Sequence, residues 1–191
     1  MSVLTKKETV TAEALLLTYE DYRQLPDDGK RYELIEGEMQ MIAAPTTEHQ
    51  RISFNLTVAI GTHVREQSLG LLFVAPTDVV LSRRDVVQPD ILFVRKGREM
   101  IVAETHIDGP PDLVIEILSP STAPLDQLVK RQLYARHGVR EFWLVSPEAS
   151  TVEVLELHEG AYRRRALVGR GDTVTSSVLE GLELAVDEIF A

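Results

Sequence analysis

Residues 110–121 read PPDLVIEILSPS, and the middle of that stretch decides how the chain folds. Val114, Ile115, Ile117 and Leu118 are the β-branched and aliphatic residues of a strand covered on both faces, which places it inside a sheet with layers on either side. Glu116 sits among them. A carboxylate stripped of water there is costly unless the chain supplies a cation, a metal or a proton. The identity of that partner bears directly on function.

Downstream, SPSTAP (119–124) is helix-start material: Ser121 or Thr122 can cap, and Pro124 suits a first turn. The helix runs from about Leu125 to His137 and stops at Gly138, and EFWLV (141–145) is a second buried strand. Strand, helix, strand implies that part of the sheet is parallel. TVEVLEL, AYRRRALV and DTVTS then alternate as antiparallel strands, with turns at Glu159-Gly160 and Gly169–Gly171, and the chain ends in a short helix at DEIF.

Upstream, LLFVA (71–75), DVVLS (78–82) and VVQPDILFV (86–94) are strand-like, with Pro89 marking a bulge, an edge or a strand start. Ile52, Leu56, Ala59, Ile60 and Val64 recur at helical spacing behind a cap at Thr46 or Thr47. RYELIEGEMQMIA reads as a hairpin about Glu36 and Gly37. Thr18 caps a short helix through Leu25, ended by Pro26, Asp27, Asp28 and Gly29. Residues 1–17 are expected to form a flexible arm, and residues 18–191 one domain.

The 191 residues, 44% hydrophobic and 26% charged, suffice for a core that needs no staples. With no cysteine, disulfides, thiolate zinc sites and cysteine nucleophiles are excluded, and a reducing cytoplasm fits. Neither a membrane span nor a signal peptide is recognisable, so a soluble cytoplasmic protein without membrane contact is expected. The net charge of −10 argues against broad, salt-driven binding to a nucleic acid backbone, though it leaves room for a local basic groove. Arg83-Arg84 and Arg163-Arg164-Arg165 are either such a groove or solvated strand edges.

Asp90 follows Pro89 at the start of a buried strand, and Glu116 lies in a strand that could neighbour it. Two converging carboxylates repel each other, and a hard divalent cation removes the repulsion. The alternative is that Asp90 ends a turn and Glu116 pairs with a lysine. On the following helix Asp126, Lys130 and Tyr134 fall on one stripe, so Lys130 either reaches back beside Glu116 or pairs with Asp126 on a solvated face. Asp112 shares strand parity with Glu116, and so either lines the same face or simply follows two prolines at the strand's start. His63, His106, His137 and His158 have no metal-ligand spacing.

Pro89-Asp90 followed by Glu116 in an apolar strand resembles the PD-(D/E)XK signature of restriction-endonuclease-like nucleases. More narrowly, RYELIEGE, the helix holding His49, QPDILFV, PDLVIEILSPST, the helix of Asp126, Lys130 and Tyr134, and GVREFWLVSPE resemble, in that order, the Uma family of bacterial restriction-endonuclease-like proteins. The resemblance runs from about Thr18 to Asp187. It implies an α/β fold with a restriction-endonuclease-like core: a central mixed β-sheet flanked by helices, with an added N-terminal hairpin and C-terminal antiparallel strands. It also implies that Asp90, Glu116 and the backbone carbonyl of Ile117 hold Mg²⁺ or Mn²⁺. The superfamily's E-X-K lysine is missing, since Ile117-Leu118 follows Glu116, and the resembling family's lysine maps onto Lys130. Glu33 has the place of an additional acidic ligand, or is an exposed hairpin carboxylate; His49 faces the site, or is a polar surface residue at a helix start.

The expected function is metal-dependent hydrolysis of DNA phosphodiester bonds, with Asp90, Glu116 and Lys130 catalytic and a homodimer as the working form. The alternative is a DNA-binding or protein-interaction module with weak or no turnover. A hydrolase of another phosphorylated or small-molecule substrate stays open, because nothing in the sequence encodes base recognition.

Overall fold

A computed structural model of the chain describes residues 16–26, 28–119 and 124–191. Residues 1–15 of the expected arm, and the capping candidates Ser121 and Thr122, lie outside the described residues. The helices are α1 (Tyr19–Tyr22), α2 (Thr47–Glu66), α3 (Pro124–His137) and α4 (Val186–Ile189). The first strands are β1 (Arg31–Ile35), β2 (Glu38–Ile42), β3 (Gly70–Val74), β4 (Val79–Ser82), β5 (Asp85–Val87) and β6 (Ile91–Arg95). They are followed by β7 (Ile107–Asp108), β8 (Leu113–Ile117), β9 (Glu141–Ser146), β10 (Thr151–His158), β11 (Ala161–Gly169), β12 (Thr173–Thr175) and β13 (Glu183–Ala185).

The strand that carries Glu116, β8, lies inside a six-stranded sheet of order β11-β10-β9-β8-β6-β3. Its pairing with β9 is parallel, as the intervening helix requires, and every other pairing in this sheet is antiparallel, so the sheet is mixed. Both faces are covered. Leu113, Ile115 and Ile117 pack with Ile52, Leu56, Ile60 and Val64 of α2 and with the C-terminal Leu179, Leu184 and Ile189. Val114 faces the other way, with Leu133 and Tyr134 of α3 and Phe142 of β9. Strand alternation therefore sends Glu116 to the α3 side. Each fully buried aliphatic side chain contributes about 1.5–3 kcal/mol, against about 1 kcal/mol for a helix cap. Packing onto the sheet, rather than local propensity, holds α2 and α3 in place.

A second sheet, of order β2-β1-β5-β4-β7, lies beyond α3's side of the first and shares that apolar cluster through Ile35, Val79, Leu81 and Val87. The first sheet is the central mixed sheet implied by the sequence, and the N-terminal hairpin belongs to the second. The run VVQPDILFV joins the two sheets: β5 ends at Val87 in the second, and β6 begins at Ile91 in the first. Pro89, with no N–H to donate to a ladder, stands where the chain crosses between sheets.

The hairpin of β1 and β2 turns at Glu36 and Gly37, with φ of 54° and 81°. Gly37 is required there twice over, since a Cβ would also come within 2.8 Å of the Leu16 Cβ. Thr18 caps α1 in a capping box with Asp21, and of the two candidates for α2 it is Thr46 that caps. Arg163, Arg164 and Arg165 lie on β11, at the edge of the first sheet. No helix among the described residues is long and apolar enough to cross a membrane.

Candidate active site

The elements that meet where the two sheets come together bring Glu33, His49, Gln88, Asp90, Glu116, Ile117 and Lys130 to one cleft of about 90 Å³, closed on one side by Ile42–Pro45. The Lys130 Nζ is 2.9 Å from Glu33 Oε1 and 3.1 Å from Glu116 Oε1. The Tyr134 hydroxyl, one turn further along α3, donates to the same Glu116 oxygen at 2.7 Å. Glu33 Oε1 also accepts the Gln88 N–H at 2.9 Å, from the crossing segment between the sheets.

Asp90 Oδ2 accepts the Ile117 N–H at 2.8 Å and lies 3.2 Å from His49 Nε2. The cap on α2 places that histidine: Thr46 Oγ1 accepts the His49 N–H at 3.2 Å, fixing the first turn from which the ring reaches Asp90. The carboxyl groups and their partners are largely out of water, between 5% and 20% exposed.

Burial pushes the Glu116 carboxyl up, Lys130 opposes it, and the Asp90 and Glu33 carboxylates push it further, to about 7. Burial disfavours the Lys130 ammonium, but Glu116 and then Glu33 outweigh it and hold the pKa above the ordinary lysine value. His49 follows the same logic. Burial lowers it, while the Asp90 hydrogen bond and the Asp90 and Glu116 charges raise it by more. Tyr134 is raised well above a free tyrosine by burial and the neighbouring Glu116, so it stays a donor.

Three carboxylates here face two cations, Lys130 and Arg31, and one histidine, and His49 Nδ1 is buried with no hydrogen-bond partner among the described residues. Carboxylate oxygens are hard donors of the kind that suit Mg²⁺ or Mn²⁺. Among the described residues no group of three or more His, Asp or Glu side chains is set to hold a metal ion.

Of the residues named from sequence, Asp90, Glu116, Ile117, Lys130, Glu33 and His49 all line this cleft. Glu33 is buried rather than an exposed hairpin carboxylate, because it lies on the inner face of β1. Lys130 reaches Glu116, while the side chain of Asp126 lies outside the described residues. Asp112 does not join them. It sits at the other end of β8, roughly 13 Å along the strand, where it is fully buried and faces Arg95, Arg98 and Arg140. Parity placed it on the right face but at the wrong height.

Tyr134 and Gln88 carry hydrogen bonds in the cleft that sequence reasoning did not assign. Tyr134 had a signal, its i+4 spacing from Lys130. Gln88 had none, since its contribution is a backbone N–H exposed by the sheet crossing.

The Uma2 family model, described as "Putative restriction endonuclease", matches residues 19–187. A crystal structure of a "putative nuclease belonging to DUF820" from Anabaena variabilis superposes with a TM-score of 0.77 at 23% identity, covering 91% of this chain and 97% of that one. That likeness establishes the fold. No curated protein matches the chain.

Proposed function

The chain belongs to the Uma2 family, and from that membership and the chemistry of the cleft we propose that it is a Mg²⁺- or Mn²⁺-dependent endonuclease hydrolysing DNA phosphodiester bonds. Asp90, Glu116 and the Ile117 carbonyl hold the ion in this reading, on the PD-(D/E)XK plan. A bound divalent ion supplies a water of lowered pKa and a polarised phosphoryl oxygen.

The chain's own residues do the positioning. Asp90 is fixed by the Ile117 N–H and by His49, and Glu116 by Tyr134, so neither carboxylate has to be ordered when substrate arrives. Lys130, held between two acids, sets a positive charge where an attacking water is oriented or where charge develops on a phosphate oxygen. Glu33 keeps that ammonium in place. The observation that carries this reading is the convergence of Asp90, Glu116 and Lys130 from β6, β8 and α3 on one cleft.

Incubation of the purified protein with supercoiled and linear DNA plus Mg²⁺ or Mn²⁺ tests it. Cleavage by the wild type and none by Asp90→Ala or Glu116→Ala is expected; cleavage that survives both substitutions rejects the assignment.

One observation favours a module without turnover: Lys130 and Tyr134 already satisfy Glu116 with no ion. Calorimetry separates the two, since that reading requires DNA capture without divalent-ion affinity. The nuclease reading further takes residues 18–191 as one domain working in the cytoplasm as a symmetric pair. The open edges β3 and β11, with Leu71 and Leu167 exposed, are the surfaces such a pair would cover.

A further inference from the structure

Beside the cleft, a second and larger groove of about 380 Å³ runs across the second sheet's outer side, walled by Tyr19, Tyr22, Tyr32, Arg23, Lys30 and Arg31. Arg31 and Gln88 line both it and the cleft, so the two adjoin. Gln88 ties them together physically: its N–H binds Glu33 in the cleft, its Oε1 accepts Arg31 Nε at 2.9 Å, and its Nε2 donates to Asp78 at 2.8 Å on the groove floor.

Asp78 also accepts the Tyr22 hydroxyl at 3.0 Å, so the floor acid is spoken for by neutral donors. Asp28 holds the Tyr32 hydroxyl at 2.8 Å and fixes that ring's edge, while its contact with Lys30 is loose at 3.7 Å. Arg23 is exposed, with its guanidinium 5.8 Å from the centre of the Tyr19 ring. Among the described residues the Arg31 Nε donates to Gln88, and no partner is recorded for its terminal nitrogens, which are placed to meet an anion. Tyr19 and Tyr22 stack on each other with centroids 6.3 Å apart and pack against Leu34, Val80 and Val86, so Tyr32 is the ring left to a ligand; on a chain of net charge −10, three cations around it mark a local surface for an anionic ligand that also has flat faces.

Resting on the nuclease reading above, we propose that this groove binds single-stranded nucleic acid flanking the scissile phosphate, with a base against the Tyr32 ring and phosphates on Arg23, Lys30 and Arg31. Single-stranded rather than duplex substrate follows from two features. Stacking on a side chain needs an unpaired base face. Duplex binding needs a broad basic surface, and a net charge of −10 argues against one.

The test is fluorescence anisotropy of the full chain with a labelled oligothymidylate and with the same strand in a duplex, in EDTA, so that binding is read without cleavage. The single strand is expected to bind more tightly than the duplex. Tyr32→Leu should weaken it about fivefold or more, as loss of one stacked base does, and Tyr32→Phe, which keeps the ring, should bind as the wild type. Arg23→Ala with Lys30→Ala should flatten the salt dependence by about 1.4 in the log–log slope.

Equal or tighter duplex binding, no binding, or variants indistinguishable from the wild type would each overturn the groove, whatever the outcome with Mg²⁺. Groove-dependent binding with no cleavage under Mg²⁺ or Mn²⁺ would instead support the groove and remove the nuclease reading.

Discussion

Glu33 and Glu116 come from different sheets and share a single ammonium, that of Lys130, at 2.9 and 3.1 Å. Each acid would otherwise be an uncompensated charge in a largely dry cleft, and α3 is the element that brings the compensation.

Lys130→Met therefore exposes a stability cost and a functional one together. Breaking a buried ion pair from one side costs about 3–5 kcal/mol, and the partial exposure of Lys130 puts the expected loss at the low end. Cleavage is expected to fall by about 10²–10³. Adding Glu33→Gln should restore part of the stability without restoring cleavage. Urea denaturation and a nicking assay read the two effects separately, and full recovery of both in the double variant would contradict the role given to Lys130.

Divalent ions should stabilise the folded protein. At one hundred times the dissociation constant the gain is about 2.7 kcal/mol, visible as a rise in melting temperature with Mn²⁺. Asp90→Ala and Glu116→Gln should abolish the rise. Its persistence in both variants would place the ion elsewhere.

Asp85 gives the fold an acid-sensitive joint. It is buried, which by itself raises its pKa, but His137 on α3, the Glu36 N–H and the Ser82 hydroxyl bring it down to about 2 from an ordinary 3.8. A carboxyl whose pKa is lowered in the folded state contributes stability that is complete above the ordinary value and is lost as pH falls from 3.8 toward 2. The contribution is about 2 kcal/mol. Asp85→Asn should lower stability at neutral pH and flatten the decline between pH 4 and about 2; denaturation curves across that range that match the wild type in shape would contradict the assignment.

Glu141 is a structural fastener. Fully buried, it accepts from Trp143 Nε1, the Ser176 and Ser177 hydroxyls and the Ser177 N–H, binding the loop before the C-terminal hairpin strand to β9. Glu141→Ala strands these donors and should cost about 2–4 kcal/mol. Faster amide exchange at residues 176–179 is the accompanying sign, and unchanged protection there would show that the loop is held by other contacts.

Light scattering tests self-association. A mass of twice 21.4 kDa at micromolar concentration is expected, and a strict monomer would end the paired-site reading.

Much of this molecule was legible before any coordinates. The apolar run around Glu116 announced a strand covered on both faces, and the helix after it required a parallel neighbour, because both inferences rest on burial and connection geometry that local sequence encodes. Thr18, Gly37 and Gly138 were readable because a cap or a positive φ leaves its own residue type behind.

What could not be read was placement across the chain. VVQPDILFV has a single apolar pattern whether it stays in one sheet or crosses to another, and the difference lies in which partners close around each half. Asp112 shows a related limit of sequence: alternation specifies the face of a strand but not the distance along it. The larger groove was hidden because its tyrosines and cations are spread from Tyr19 to Tyr32 over a helix, a loop and a strand, and no spacing rule joins them.

The passage through Gln88-Pro89-Asp90 has an implication for biosynthesis. Because the cleft is a seam between two sheets, drawing on positions from 31 to 130, it comes into being only after α3 has been made and both sheets have docked. A nascent or prematurely terminated product lacking that helix would have the acids but not their organiser, so whatever reaction the seam performs is withheld until the protein is nearly whole.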